Sequence, residues 1–283
     1  MAVIIHKEEL RANSYPLQYA SFLIYPSTLN TPRLYVRVRM VLPHGLTPRG
    51  QGAGGFTIFH FLFTILPMII TYLGFEAFKI QFGETVIAVN PVSKNSKHKS
   101  SRFGADIALV SLNDKDFNGL ENVKHGEREP FAITGPGEYE IKGIFIKGFK
   151  GESRYNLPAN SKESRINTIY SISLEGMNLC FLGALDSKDL LGENKEALDD
   201  IDVLFVPVGG EGVISSAQAY ELAVKLEPRL IIPSHFENTS DKNLKVFLKE
   251  VGEEGTKPVE KLTLKKKDLE GKEGEILVLA PQA

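Results

Sequence analysis

Tryptophan is absent from the 283 residues and cysteine occurs once, as Cys180. A lone cysteine excludes an intramolecular disulfide and any Cys-rich zinc knuckle; the missing tryptophan excludes nothing. Net charge is also scarce. Thirty-three Lys and Arg stand against 35 Asp and Glu, a formal −2, which gives no support for a strongly basic nucleic-acid binder. With 42% apolar and 24% charged residues, collagen-like, coiled-coil and wholly disordered chains are excluded. The length suits one large domain or two small ones, with enough chain to bury a core.

These averages conceal a seam. Residues 1–67 hold six basic residues (Lys7, Arg11, Arg33, Arg37, Arg39, Arg49) and two acidic ones (Glu8, Glu9), a net of +4. Residues 68–283 hold 27 basic and 33 acidic residues, a net of −6. The first segment is rich in Pro, Gly, Ser, Thr and Arg, shows no sustained period of 2 or 3.6, and runs into the flexible Gly-rich stretch 50–55.

Residues 56–73 carry no charge, and about 18 apolar residues is the lower limit for a membrane span. Pro67 divides the run, and residues 68–73 read as a β-strand leading into Gly74. Residues 56–66 alone are too short to span, and the run starts too far in for a secretory signal. The favoured expectation is an organised domain starting at Met68, with 1–67 an unpacked upstream extension or a mis-called start. A membrane anchor and a genuine but poorly ordered tail are the competing readings. With neither span nor signal, the expected compartment is the cytoplasm.

From Met68 the chain punctuates itself. Short β-type runs fall at 68–73, 78–82 and 85–89, with Gly83-Glu84 as a hairpin signal, and 107–110 reads as a strand buried on both faces. More follow at 131–134, 139–141, 144–149, 168–174 and 178–182, with 151–165 read as a polar loop and insertion. A strand at 202–207, a helix opened by the capping box Ser215 to Gln218, and a strand at 230–233 make a βαβ unit with parallel strands. Residues 243–251 suggest a second helix, and 261–264 and 275–279 closing strands. The sum is a layered α/β architecture.

Ligands in such sheets collect at the carboxyl ends of strands. Asp114 and Asp116 follow the strand at 107–110, Asp186 follows that at 178–182, and His235 follows that at 230–233. The pattern places these four on one cleft. The competing reading makes Asp114 and Asp116 turn formers or helix caps, the commoner use of Asp in such a loop.

Seven ordered blocks carry a resemblance. They are Ile70-Thr71-Tyr72-Leu73-Gly74, Ala88-Val89-Asn90-Pro91, Ala105-Asp106-Ile107-Ala108-Leu109-Val110-Ser111, Gly135-Pro136-Gly137-Glu138-Tyr139 onward, Asn167-Thr168-Ile169-Tyr170, Cys180-Phe181-Leu182-Gly183, and Val206-Pro207-Val208-Gly209-Gly210 through to Ile232-Pro233-Ser234-His235. From Met68 to about Asn238 the chain resembles the metallo-β-lactamase superfamily, in its branch of small zinc-dependent hydrolases related to sugar-acid lactonases. The resemblance implies a four-layer αβ/βα sandwich.

That family holds zinc through His-x-His-x-Asp-His, a second-strand His, a bridging Asp and a late His, leaving a water position open for hydroxide chemistry. Carried onto this chain, the three loop His positions read Leu112, Asp114 and Phe117, the second-strand His reads Phe181 and the bridging Asp reads Ala184. The family's early His reads Phe75, and the Asp of its Asp-Pro reads Asn90. Asp116 and His235 alone survive. Leu, Phe and Ala ligate no metal, so no zinc or other cofactor is expected here, although active relatives use zinc. Leu112, Phe117 and Phe181 are expected to meet in a dry plug.

Two functions compete. One is a catalytically silent member of the fold, binding or regulating through its old cleft or the 151–165 loop. The other is a hydrolase acting on a small ester, lactone or phosphoester through Asp114, Asp116, Asp186 and His235, with a hard metal or none. A third reading, membrane association through 56–66, is weaker. Cys180 sits in an apolar run and reads as packing, while His98 and His125 sit in charged stretches and read as exposed. The −6 of the domain disfavours nucleic acid. No partner is identified, and homo-oligomer formation stays open.

Overall fold

In the computed structural model, residues 67–283 are described except 100, 159, 191–197, 211 and 283, together with three N-terminal strands. The chain divides into two compact units, Met1–Ile65 and Leu66–Ala283. In the first, β1 (Ala20–Ile24), β2 (Leu34–Met40) and β3 (Phe59–Phe63) form an antiparallel sheet with β2 in the middle. The sequence Leu-Tyr-Val-Arg-Val-Arg-Met of β2 does alternate, a period hidden by its short length among turn-forming residues. Part of the uncharged run 56–73 is therefore strand β3. No helix among the described residues is long and apolar enough to cross a membrane.

The second unit opens with two hairpins. β4 (Met68–Gly74), β5 (Ala77–Phe82) and β6 (Thr85–Val89) run antiparallel, and Gly83 takes a positive φ of 57° in the expected turn. β7 (Ile107–Leu109) and β8 (Phe131–Ile133) add in parallel, and β15 (Leu262–Leu264) pairs with β4 on the other side. This six-stranded sheet has the order β15-β4-β5-β6-β7-β8.

The other sheet has seven strands. β9 (Gly137–Ile141), β10 (Ile144–Ser153), β11 (Arg165–Leu174) and β12 (Met177–Phe181) form an antiparallel meander. β13 (Val203–Pro207), β14 (Leu230–Ser234) and β16 (Glu275–Ile276) continue it in parallel. One buried cluster joins the inner faces, including Ile70, Tyr72, Phe78, Ile87 and Leu109 from the first sheet and Ile172, Leu179, Phe181 and Phe205 from the second.

Two α-helices are described. α1 (Ser216–Leu226) starts at the Ser215 cap, whose hydroxyl accepts from the Gln218 amide while the Gln218 side chain answers to Ser215, the box expected from sequence. It buries Ala219, Leu222 and Ala223 and packs on β13. α2 (Lys242–Glu250) is capped by Asp241, buries Leu244, Phe247 and Leu248, and packs on α1.

Two expectations need correcting. The first is a helical layer outside each sheet. The outer face of the six-stranded sheet is covered instead by irregular chain: Ala88 and Ala108 cluster with Ala105 and Val123, and Phe103 and Leu120 pack on them. Small alanines on that face let a loop and one 3₁₀ turn lie close. The second is the 151–165 loop. Strands β10 and β11 extend to Ser153 and from Arg165, and Gly151, Ser153 and Tyr155 alternate inward while Glu152, Arg154 and Asn156 face out. Two of the three inward residues are small and carry no hydropathy signal, which hid the strand.

Candidate functional site

The carboxyl ends of β4, β7, β12, β13 and β14 meet at one edge, and the backbone there is pinned before any side chain enters. Phe75 and His235 both adopt left-handed conformations, φ 56° and 66°. They are held by Phe75 N–H donating to Phe236 O at 2.8 Å and His235 N–H donating to Phe75 O at 2.5 Å. The Tyr72 hydroxyl lies 2.7 Å from Phe75 O and 2.6 Å from Phe236 O, locking the same crossing from below. Two non-glycine residues in this region cost about 1 kcal/mol or more each, so their surroundings must fix them.

Phe75 then stacks on His98, with centroids 4.0 Å apart, and meets Phe117 at 5.4 Å, Tyr155 at 5.6 Å and His235 at 4.4 Å. With Leu112, Ala184 and Val213, the Phe75, Phe117 and Tyr155 rings form a separate buried cluster. Tyr155 reaches it from the tip of the β10–β11 hairpin. Arg154 N–H donates to Gly212 O at 3.3 Å, and a Cβ on Gly212 would lie 2.6 Å from the Tyr155 backbone, so only glycine lets the tip settle there.

Asp116 lies under this cluster, its side chain 1% exposed. It accepts from the Ser96 hydroxyl, from Tyr155 Oη at 2.8 Å and from Asn156 Nδ2 at 3.3 Å, and His98 Nε2 is 3.8 Å away. Burial pushes its pKa up, but the Ser96 and Tyr155 hydrogen bonds and the nearby His98 outweigh it, leaving the carboxyl below its ordinary value. His98 also pairs through Nδ1 with Glu237. His98 is thus a half-buried member of the site, which corrects its expected exposure; His125 is exposed as expected.

His235 Nδ1 lies 3.1 Å from Glu76 Oε1, and the Ser234 hydroxyl donates to the same carboxylate at 3.2 Å. Burial raises the Glu76 pKa, against the opposing pull of His235 and Ser234. A Cβ on Gly209 would lie 2.1 Å from His235 Cδ2, so the imidazole rests directly on that backbone.

Of the four predicted site residues, Asp116 and His235 line one aromatic cluster, each within reach of Tyr155. Asp114 stands at its rim, its Oδ2 accepting from Arg165 at 2.9 Å and its Oδ1 capping the Asp116 amide at 3.1 Å, the turn-former role. Asp186 is not brought in: it faces Arg154 at 3.4 Å, and burial raises its pKa with Glu152 adding to the rise. Phe181 is a further correction. It stacks on Phe205 at 3.9 Å in the core between the sheets and is no part of the cluster holding Leu112 and Phe117. Its ring also meets Phe78 of the facing sheet at 5.7 Å, so it points between the sheets and not over the strand ends. Cys180 is buried and its thiol is pushed up to about 12 by burial, a packing residue.

Sequence reasoning missed Glu76, Ser96, His98, Tyr155 and Glu237. Tyr155 had one available signal, an aromatic inside a polar stretch. Among the described residues, no group of three or more His, Cys, Asp or Glu side chains is arranged to hold a metal ion. Asp116 and His235 are walled by Phe75, Leu112, Phe117 and Ala184, which carry no ligating atom, so the residues present do not supply the donors of a zinc centre.

A sequence-family profile described as a Beta-lactamase superfamily domain matches residues 69–235. Among solved structures, a candidate Zn-dependent hydrolase of the metallo-β-lactamase superfamily from Thermotoga maritima is 27% identical, with TM-score 0.58, covering 75% of this chain and 98% of its own. A candidate metal-dependent hydrolase from Parabacteroides distasonis is 18% identical, with TM-score 0.51, covering 76% and 94%. A metallo hydrolase from Ignicoccus hospitalis is 16% identical, with TM-score 0.50, covering 77% and 97%. The last two establish the fold alone, and no curated protein matches. With more than half of its length matched by the family profile and both sheets in place, the chain belongs to the metallo-β-lactamase superfamily.

Proposed function

We propose that this protein has lost the zinc-dependent hydrolysis of its superfamily and acts by binding, as a regulatory or recognition protein built on the old fold. One observation carries this: Phe75, Phe117 and Tyr155, with Leu112 and Ala184, fill the space beside Asp116 and His235. Filling it with rings contributes packing energy, about 0.5–1.5 kcal/mol per aromatic pair beyond area burial, at the expense of an open water position. The relationship to sugar-acid lactonases, the domain start at Met68 and a cytoplasmic location belong to the same reading. The lone, unpaired Cys180 suits a reducing compartment.

A metal-free hydrolase is the second reading, favoured by the buried Glu76–His235 pair, which has the form of an oriented acid–base couple. Elemental analysis of the purified full chain, with hydrolysis of lactone, phosphodiester and thioester panels, separates the two. Zinc far below one per chain and no turnover is the expected result. Turnover abolished by His235→Ala without metal would establish the second reading. Stoichiometric, chelator-resistant zinc would sink both.

A further inference from the structure

A cleft of about 560 Å³ opens over the irregular chain covering the six-stranded sheet, away from the aromatic cluster. Lys94, Arg102, Lys124 and His125 line it, with Phe103 in the wall and Glu121 as the one carboxylate. Glu121 is spent internally: it accepts from the Ser93 hydroxyl at 2.6 Å and the Lys94 amide at 3.0 Å. Among the described residues, the exposed Lys94 and Arg102 form no ion pair, while Lys124 pairs with the exposed Glu129 and has Glu127 and Glu121 near it, contacts that solvent screens.

This is a positive site on an acidic unit. Residues 94–102 carry Lys94, Lys97, Lys99 and Arg102 and no Asp or Glu, within a stretch whose net charge is −6. Glu121 and Glu129 offset part of this charge, while the exposed Lys94 and Arg102 are left for an anion to join. The wall is shaped as well as charged. A Cβ on Gly104 would fall 2.6 Å from His125 Cδ2, so the imidazole lies directly against backbone. Phe103 is half-buried, packed on the alanine cluster, with the Lys79 ammonium 5.4 Å from its centroid. The part of Phe103 that lines the cleft, beside the Arg102 guanidinium and the Lys94 ammonium, matches a ligand with an apolar base and a phosphate. The volume lies within the ordinary range of small-molecule sites.

The geometry points to a binding site for a nucleoside phosphate in this cleft. The same loop is tied at its other side to the aromatic cluster, through Ser96 on Asp116 and His98 on Phe75. A ligand at Lys94 and Arg102 therefore grips a segment that also closes the former metal position. The assignment stands independently of whether the protein hydrolyses anything.

Calorimetric titration of the full chain with AMP, ribose 5-phosphate, adenosine and a single-stranded oligonucleotide tests it. AMP is expected to bind, ribose 5-phosphate more weakly, and adenosine not measurably. Arg102→Gln and Lys94→Gln, both exposed and so harmless to folding, should each weaken AMP by roughly 10-fold, the scale of one charge-assisted hydrogen bond. Phe103→Leu should weaken AMP more than ribose 5-phosphate. Silence towards both phosphates at millimolar concentration and low salt would overturn the site, as would AMP binding indifferent to both charge variants. An oligonucleotide binding well above AMP would overturn the small-molecule assignment in favour of nucleic acid.

Discussion

The imidazole of His98 lies flat on the ring of Phe75, the planes 13° from parallel, while its two nitrogens face Glu237 on one side and Tyr155 and Asp116 on the other. One side chain thus ties the 94–102 loop to β4's end, to the segment after β14 and to the hairpin tip. His98→Ala removes the stack and leaves Tyr155 and Asp116 with one neighbour fewer. A loss of about 1–3 kcal/mol in chemical denaturation is expected; a change within about 0.5 kcal/mol would mean the loop is held without it.

Phe117 and Phe181 are both buried rings in separate clusters with no shared aromatic partner. Each Phe→Ala change should destabilise by about 3–5 kcal/mol. The double variant should be additive within about 0.5 kcal/mol. Coupling well beyond that would return Phe181 to the plug.

The Asp116 carboxyl sits below its ordinary pKa in the fold. Its contribution is therefore complete above the unfolded value, near 4, and disappears as pH falls through the depressed folded value. Asp116→Asn should lie below the parent protein in stability at neutral pH, and the two urea-unfolding curves should converge in acid. Glu76 has the opposite sign. With its pKa raised, it loses stability as pH climbs from the ordinary glutamate value through the folded one, and Glu76→Gln should flatten that limb. A constant gap between Asp116→Asn and the parent at every pH would refute the assignment.

Gly209→Ala drives a methyl into the His235 ring. The imidazole must move off Glu76 or the strand end must shift, at a cost of about 1–3 kcal/mol. The His235 ring resonances in NMR should move with it, whereas an unmoved ring would show that the backbone yields instead.

What the sequence made legible follows the range of each interaction. The Ser215–Gln218 box is complete within four residues, and the hairpin at Gly83 within two, so both could be read directly. The β13–α1–β14 unit followed from periodicity over about thirty residues. His98 could not be placed this way, because its partners Phe75, Tyr155 and Glu237 are scattered along the chain and its own neighbours are charged. Phe181 failed by facing: its position in the motif was recognisable, but only its stack on Phe205 shows that it looks into the inter-sheet core.

Each of the two sheets takes an outer strand from beyond residue 260. β15 closes the edge at β4, β16 adds to β14, and Gln282 N–H donates to Tyr72 O at 2.9 Å beside the pinned crossing. During synthesis these residues emerge long after β4, which waits for a neighbour almost two hundred positions downstream. Such distant pairing folds slowly and keeps an apolar strand edge open meanwhile. A chain released early lacks an outer strand in both sheets at once, leaving incomplete copies with unpaired backbone for chaperones and proteases to recognise.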